Sequence, residues 1–330
     1  MNWIKETFYR IIDGKLPNSV IIQEPKEEDA RYEEIFTIGA AKKKSFDWKP
    51  YRPKFEDQRA TFDCTNFSRL NCAEYVAKKE GVKDDKGQEL NLSDLHLSVG
   101  SGTSQNGNNL NNPSEYFRKN GVVRQEFCDY DLDMLTNPKG TWYKRQQKVS
   151  QIPKSAKRYK GGNHSWVVTT KAVLMDALDY SPIQIAVGLD YRWNRGGIIP
   201  PCVNPTAYHA IVLESIDELG RYHIFDSSSH EEKTLDANYQ IRQAKSFRDL
   251  PQTWKEEQKK LPIFYKAKNS SAVYMYGLGD GKFYLIPSGE MFLDLFGDFG
   301  EATIIEWDKN LHSVYPPAPS EVGGILRIEK

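Results

Sequence analysis

Cys64, His209 and Asp226 are residue types that can together activate a sulfur nucleophile. Cys64 lies in the run QRATFDCTNFS, with Gln58 six positions upstream. A nucleophilic cysteine needs a base to take its proton, a group to orient that base, and donors for the oxyanion. Taken alone, a cysteine near a helix start is more often a buried structural thiol. His209 sits in AYHAIVL, an alternating run of the kind strands show, and Asp226 ends the next such run, YHIFD. Antiparallel strands joined by a short turn would bring these two side by side. Cys64 opens an apolar-periodic stretch, and a helix N-terminus favours a thiolate. Gln58 can turn its amide toward the same point.

The elements that must position these residues follow from periodicity. Phe67, Leu70, Ala73 and Val76 recur at three-residue spacing, and Gly81 follows as a stop, which predicts a helix over 64–80. SGTSQNGNNLNNP is a Gly/Asn/Ser loop, Pro113–Lys119 a short helix closed by Asn120-Gly121, and 170–180 a helix before a strand in SPIQIAVGL. Residues 133–163 are basic and read as helix and loop. DELG joins AYHAIVLESI to RYHIFDSS as a hairpin. A second hairpin links SAVYMYG to KFYLI with Asp280-Gly281 at its turn, EMFLDLFGDF reads as a short helix, and PPAPSEVGG as a linker-like tail. Three segments result: a polar leader over 1–45 with a short docking helix around Trp3–Ile12, a main domain over 46–266, and a small β-rich module over 267–330. The leader either covers the cleft or docks onto another subunit; the sequence leaves both open.

Bulk properties narrow the function. Of 330 residues, 45 are Lys or Arg and 45 Asp or Glu, so the net charge is zero, which argues against nucleic acid as a partner. The basic run KRQQKVSQIPKSAKRYKGG reads as a solvated loop. No apolar run approaches the roughly 18 residues of a membrane span, and MNWIKETFYRIIDGK does not read as a secretory signal, so cytoplasmic synthesis is expected. Cys64, Cys72, Cys128 and Cys202 are irregularly spaced and are expected to be free thiols. His96, His164, His223, His230 and His312 show no metal-ligand spacing, so neither a metal site nor another cofactor is expected. SGTSQNGNN lacks the ending of a phosphate cradle.

Together, the motifs resemble the papain family of cysteine peptidases over roughly residues 46–250. The family carries a glutamine six residues before its cysteine, as Gln58 stands to Cys64, and an upstream Asp-Trp pair, here Asp47-Trp48. RGGIIPPCVNPTAYHA is similar to the family's approach to its histidine, and Asp226 lies 17 places after His209, near the family's third residue. The resemblance implies an α+β fold with a helical and a β-rich part, a peptide or protein substrate, and a thioester acyl-enzyme. It implies Cys64 as nucleophile, His209 as base and acid, Asp226 as orienting residue, and Gln58 with the Cys64 N–H as oxyanion hole. It places Gly107 and Asn108 on the cleft wall and Ala210 in the main specificity pocket.

The departures also carry expectations. Asp63 precedes the nucleophile, where it either opposes the thiolate or caps the helix. The tryptophan that follows the family's asparagine is missing from DSSSHEE, which predicts a His–Asp bond more open to water. Thr61 replaces a disulfide cysteine, and Cys202 matches a family disulfide position without an obvious partner. These departures resemble divergent papain-like proteins of tailed bacteriophages, which implies a virion setting with partners bound through 1–45 or 267–330. Two competing functions are an inactive scaffold that keeps the fold and a cell-wall peptide endopeptidase or amidase.

Overall fold

The computed structural model describes residues 20–27, 29–35, 43–84, 86–193, 197–229, 232–248 and 254, together with the strands of a C-terminal sheet. The chain divides into two compact units, Met1–Pro251 and Gln252–Lys330. The short helix expected around Trp3–Ile12 and the one expected in EMFLDLFGDF lie outside the described residues.

In the first unit, a short helix α1 (Tyr32–Ile35) and a 3-10 turn (Lys49–Tyr51) precede the long helix α2 (Cys64–Lys79). Helices α3 (Asp94–Gly100), α4 (Asn111–Asn120), α5 (Leu132–Thr136) and α6 (Trp142–Ser150) follow. Then come β1 (Asn163–Trp166), α7 (Lys171–Ala177), β2 (Ile183–Leu189), β3 (Ile198–Ile199), β4 (Ala207–Ile216), β5 (Tyr222–Phe225), β6 (Lys233–Leu235) and β7 (Ile241–Arg248). The seven strands form one sheet in the order β1-β7-β2-β4-β5-β6-β3. Every pairing is antiparallel except β3 with β6.

Helix α2 packs on β2 and β4 and is buried on nearly every side, not on the single stripe its spacing predicted. Several of its buried polar side chains are paired with the surrounding structure. Gln184 on β2 donates to the Thr65 carbonyl (2.7 Å) and to Ser68 Oγ (2.8 Å), and Arg69 lies over the rings of Phe117 and Phe247. A helix enclosed by protein on all faces is held by its surroundings more than by its propensity. The four-residue turn Asp217–Gly220 closes the β4–β5 hairpin, with Gly220 at φ +72°. Glycine takes such a conformation without steric cost.

The second unit is a sheet of β8 (Phe264–Ala267), β9 (Val273–Gly277), β10 (Lys282–Ile286), β11 (Ile304–Trp307), β12 (Pro317–Val322) and β13 (Ile325–Ile328), ordered β11-β8-β9-β10-β13-β12. β9 and β10 pair antiparallel as the expected hairpin requires, while its Asp280-Gly281 turn lies outside the described residues. The linker-like tail is corrected: PAPSEV forms β12. It is an edge strand with an irregular register, where prolines are tolerated.

Candidate active site

Cys64 is the first residue of α2 and is fully buried. Asp63, before it, uses its carbonyl to accept from the N–H groups of Asn66 (2.8 Å) and Phe67 (3.1 Å). Its carboxylate does not cap the helix, contrary to one reading of the sequence. It binds Arg145 Nη1 at 2.7 Å and accepts from Ser98 Oγ and Asn66 Nδ2. Both members of the Asp63–Arg145 pair are shut off from water. The charge that was expected to oppose a thiolate is thus balanced by an arginine from α6. This also corrects the reading of the basic run as solvated: Arg145 is its buried cation, Tyr159 is also buried, and Lys144 and Lys148 pair with Asp133 and Asp131.

The β4–β5 hairpin brings His209 and Asp226 together as its pattern predicted. Val212 faces Phe225 in the ladder, so Asp226, one step beyond β5, lies beside the His209 end of β4. His209 Nε2 is 2.8 Å from Asp226 Oδ1. The carboxylate also accepts from Lys233 Nζ (2.6 Å) and Trp193 Nε1 (3.1 Å) at Oδ2, and from Ser228 N (2.9 Å) and Oγ (2.7 Å) at Oδ1. The Trp193 ring stands edge-on to His209, with centroids 5.8 Å apart. The His–Asp bond is therefore not open to water: His209 is 0% and Asp226 2% exposed. Trp193 supplies the cover that the sequence after Asp226 lacks.

Burial opposes a charge on both groups, and their mutual attraction overrides it. Burial pushes the His209 pKa down, but Asp226 and the Cys64 side chain lift it to about 9. Burial pushes Asp226 up, yet Lys233 and His209 hold it well below the usual carboxylate range. With Nε2 committed to Asp226, His209 Nδ1 has no ordinary hydrogen bond and is the nitrogen left for Cys64. Catalytic contacts of this kind are often loose before substrate binds.

Gln58 is fully buried beside the Asp226 segment. Its Oε1 accepts from Ser227 Oγ (2.6 Å), and its backbone N–H donates to the Ser227 carbonyl (3.0 Å). The amide oxygen accepts from Ser227, and the Nε2 end is the donor end of the side chain. Gly107, at φ +84°, closes a tight turn with Ser104, and Asn108 after it is buried, its side-chain amide donating to Ser101 and Thr103. Ala210 is buried against Cys64 in one apolar cluster with Leu110, Trp166 and Ala186.

The sixth member of that cluster is Val20, from the leader. Residues 20–27 and 29–32 form a strap that begins at the site. Val20 N–H donates to the Tyr208 carbonyl (3.0 Å) and Ile21 N–H to the Asn108 carbonyl (3.0 Å). Further along, Gln243 Nε2 donates to the Gln23 carbonyl, Trp166 Nε1 donates to Asp29 Oδ2 (2.9 Å), and Tyr32 hydroxyl donates to Asp176 (2.9 Å). Of the two fates open to the leader, these residues take the first. Cys64, Cys72, Cys128 and Cys202 form no disulfides.

The sequence reading missed Trp193, Lys233 and Arg145. A tryptophan inside a polar turn (DYRWNR) was the one available signal, since such a ring is rarely left in water. The two cations carry no motif and meet their carboxylates only through the fold.

No protein-family model matches the chain, and no curated protein matches it. Solved structures do match. Xylellain, a cysteine protease from Xylella fastidiosa, is 16% identical over 71% of this chain and 96% of its own, with a TM-score of 0.54. Digestive procathepsin L 3 of the Tenebrio molitor larval midgut is 14% identical over 74% of this chain and 78% of its own, with a TM-score of 0.54. At these identities the likeness establishes the architecture: an α+β fold of the papain-like type.

Proposed function

We propose that this chain is a cysteine peptidase whose described form is closed by its own N-terminal strap. The observation that carries the reading is the buried 2.8 Å hydrogen bond from His209 Nε2 to Asp226, which leaves Nδ1 on the side of Cys64 at the start of α2. The Cys64 sulfur attacks a peptide carbonyl carbon as the thiolate of a thiolate–imidazolium pair. The Cys64 N–H and Gln58 amide receive the oxyanion. His209 Nδ1 gives its proton to the leaving amine, a thioester remains, and His209 then takes a proton from the water that hydrolyses it. Asp226 orients the ring, and Trp193 excludes water from that bond. Gly107, Asn108 and Ala210 line the substrate cleft, since the strap pairs with Asn108 and packs on Ala210. The substrate class is a peptide. The virion setting expected from the sequence finds no support in the fold or its solved neighbours.

The test is the pH dependence of iodoacetamide labelling at each cysteine, read by mass spectrometry. It uses the full-length chain carrying Val20→Gly and Ile21→Pro, which remove a packed side chain and the N–H bonded to Asn108. Cys64 should react well below the pH at which Cys72, Cys128 and Cys202 do, and His209→Ala should abolish the difference. If Cys64 labels no faster than the other three, the fold is a scaffold without this chemistry.

A further inference from the structure

Lys245 is 1% exposed and takes no part in the chemistry above. Its Nζ bonds Asn111 Oδ1 at 2.7 Å and His164 Nδ1 at 3.0 Å, and lies 4.2 Å from the centroid of the Trp166 ring. All three partners are uncharged, for burial holds the His164 pKa down to about 3. A buried ammonium among neutral partners is costly, and an arriving anion relieves that cost.

The sheet register places this cation behind the cleft. Lys245 faces Trp166 on β1 and Gln184 on β2, so the three side chains share one face of the sheet. Ala186, two residues from Gln184, is on that face too, with Ala210 opposite it on β4. Ala186 and Lys245 are diagonal neighbours, which in antiparallel sheets stand about 7–8 Å apart. A lysine stem covers most of that distance. Cys64 thus lies in an apolar cluster with Leu110, Trp166, Ala186 and Ala210, and the Lys245 ammonium sits over the Trp166 ring of that cluster. Val20, a short side chain, fills the remaining place in it.

Two acids act on this cation: Glu115, bonded to His164 at 2.7 Å, and Asp29 of the strap. Asp29 accepts from Trp166 Nε1, and its charge is the foremost of those opposing the effect of burial, which lowers the Lys245 pKa to about 7. Asp29 also borders a cavity of about 310 Å³ lined by Glu115, Arg118, His164 and Arg248, so there is room for another group to replace it.

We propose that the pocket filled by Val20 is a subsite for an acidic substrate side chain, with Lys245 as its specificity-determining cation and Trp166 Nε1 as a second donor. This deepens the peptidase reading and rests on it. A glutamate reaches two heavy atoms further than a valine and ends in a carboxylate, which none of the direct partners of Lys245 supplies. When the strap leaves, Asp29 leaves with it, and a peptide carrying Glu or Asp takes over both functions. The enzyme would then select acidic peptides, and the strap would hold the site by imitating them.

The experiment is a panel of peptides that differ only in placing Glu, Gln or Lys at each position in turn, cleaved by the Val20→Gly/Ile21→Pro chain. At one position, Glu should exceed Gln in kcat/KM by about tenfold, and Lys245→Met should erase the preference while leaving the iodoacetamide labelling of Cys64 unchanged. In otherwise unaltered chains, Val20→Glu should protect Cys64 from labelling more than Val20→Gln does. Rapid Cys64 labelling with no Glu preference at any position overturns the subsite and leaves the peptidase reading standing. Should Lys245→Met fail to fold, the panel and the Val20 pair still decide. A Cys64 as inert as the other cysteines sinks the peptidase reading instead.

Discussion

At the scale of residues, the unusual feature is a charged third member that is itself neutralised. Asp226 attracts the proton on His209, and Lys233, 2.6 Å from the same carboxylate, tempers that attraction. The His209 pKa of about 9 sets the alkaline limb of kcat/KM, since the imidazolium must persist. Lys233→Met should move that limb to higher pH, measured on the strap-loosened chain. The same shift governs stability. A histidine raised from 6.5 to about 9 adds stability that is fully present below the lower value and is lost as pH rises through the upper one. Arg145→Met is the second prediction at this scale. It leaves Asp63 buried and unpaired beside Cys64, so unfolding should become easier by roughly 3–5 kcal/mol in denaturant titrations. Cys64 labelling should also require a higher pH. Cys64, His209, Asp226 and Gln58 were legible because each sits at a telling offset in a motif. Lys233 and Arg145 were not: the Arg145–Asp63 bridge spans 82 positions, and Lys233, seven places after Asp226, belongs to no motif.

At the scale of elements, the legible parts are those fixed by local chemistry. The turn over Asp217–Gly220 and the glycine-closed ends of α2 and α4 follow from glycine conformation, and all three glycines have positive φ. α6 was obscured because its charges pair with distant carboxylates, and β12 because its prolines sit at a sheet edge. Gly107 yields a prediction: Gly107→Ala meets φ +84° and should cost about 1–2 kcal/mol. It should also displace Asn108 and speed Cys64 labelling in the otherwise unaltered chain. A second prediction concerns the acids between α2 and α3. Burial raises the pKa values of Glu56, Glu74 and Asp94, which stand close enough to titrate together. Carboxyls that ionise late in the folded state withdraw stability as pH rises above the ordinary range of about 4. Asp94→Asn should therefore gain on the parent chain with rising pH, as read by denaturation midpoints in acid and at neutrality.

At the scale of the whole molecule, the proposed role of the strap is to restrict access. Val20 and Cys64 are buried in one cluster, so the parent chain should label slowly and the Val20→Gly/Ile21→Pro chain quickly, with little change in circular dichroism. Equal rates in both chains would show that these residues do not restrict the site. The leader's composition announced a polar segment but not where it goes, because its described residues are held by hydrogen bonds and packing contacts to parts of the chain far away in sequence.

The strap is covalently joined to the site it fills. A segment tethered by a short connection competes as though present at roughly millimolar concentration, however dilute the protein. Diluting the chain cannot release it, and a substrate in the micromolar range cannot displace it by mass action alone. The same sequence offered as a free peptide would need to reach that concentration to have an equal effect. On the proposed reading, a cut between strap and body should weaken the inhibition and make it depend on dilution, even if it altered no contact at the site.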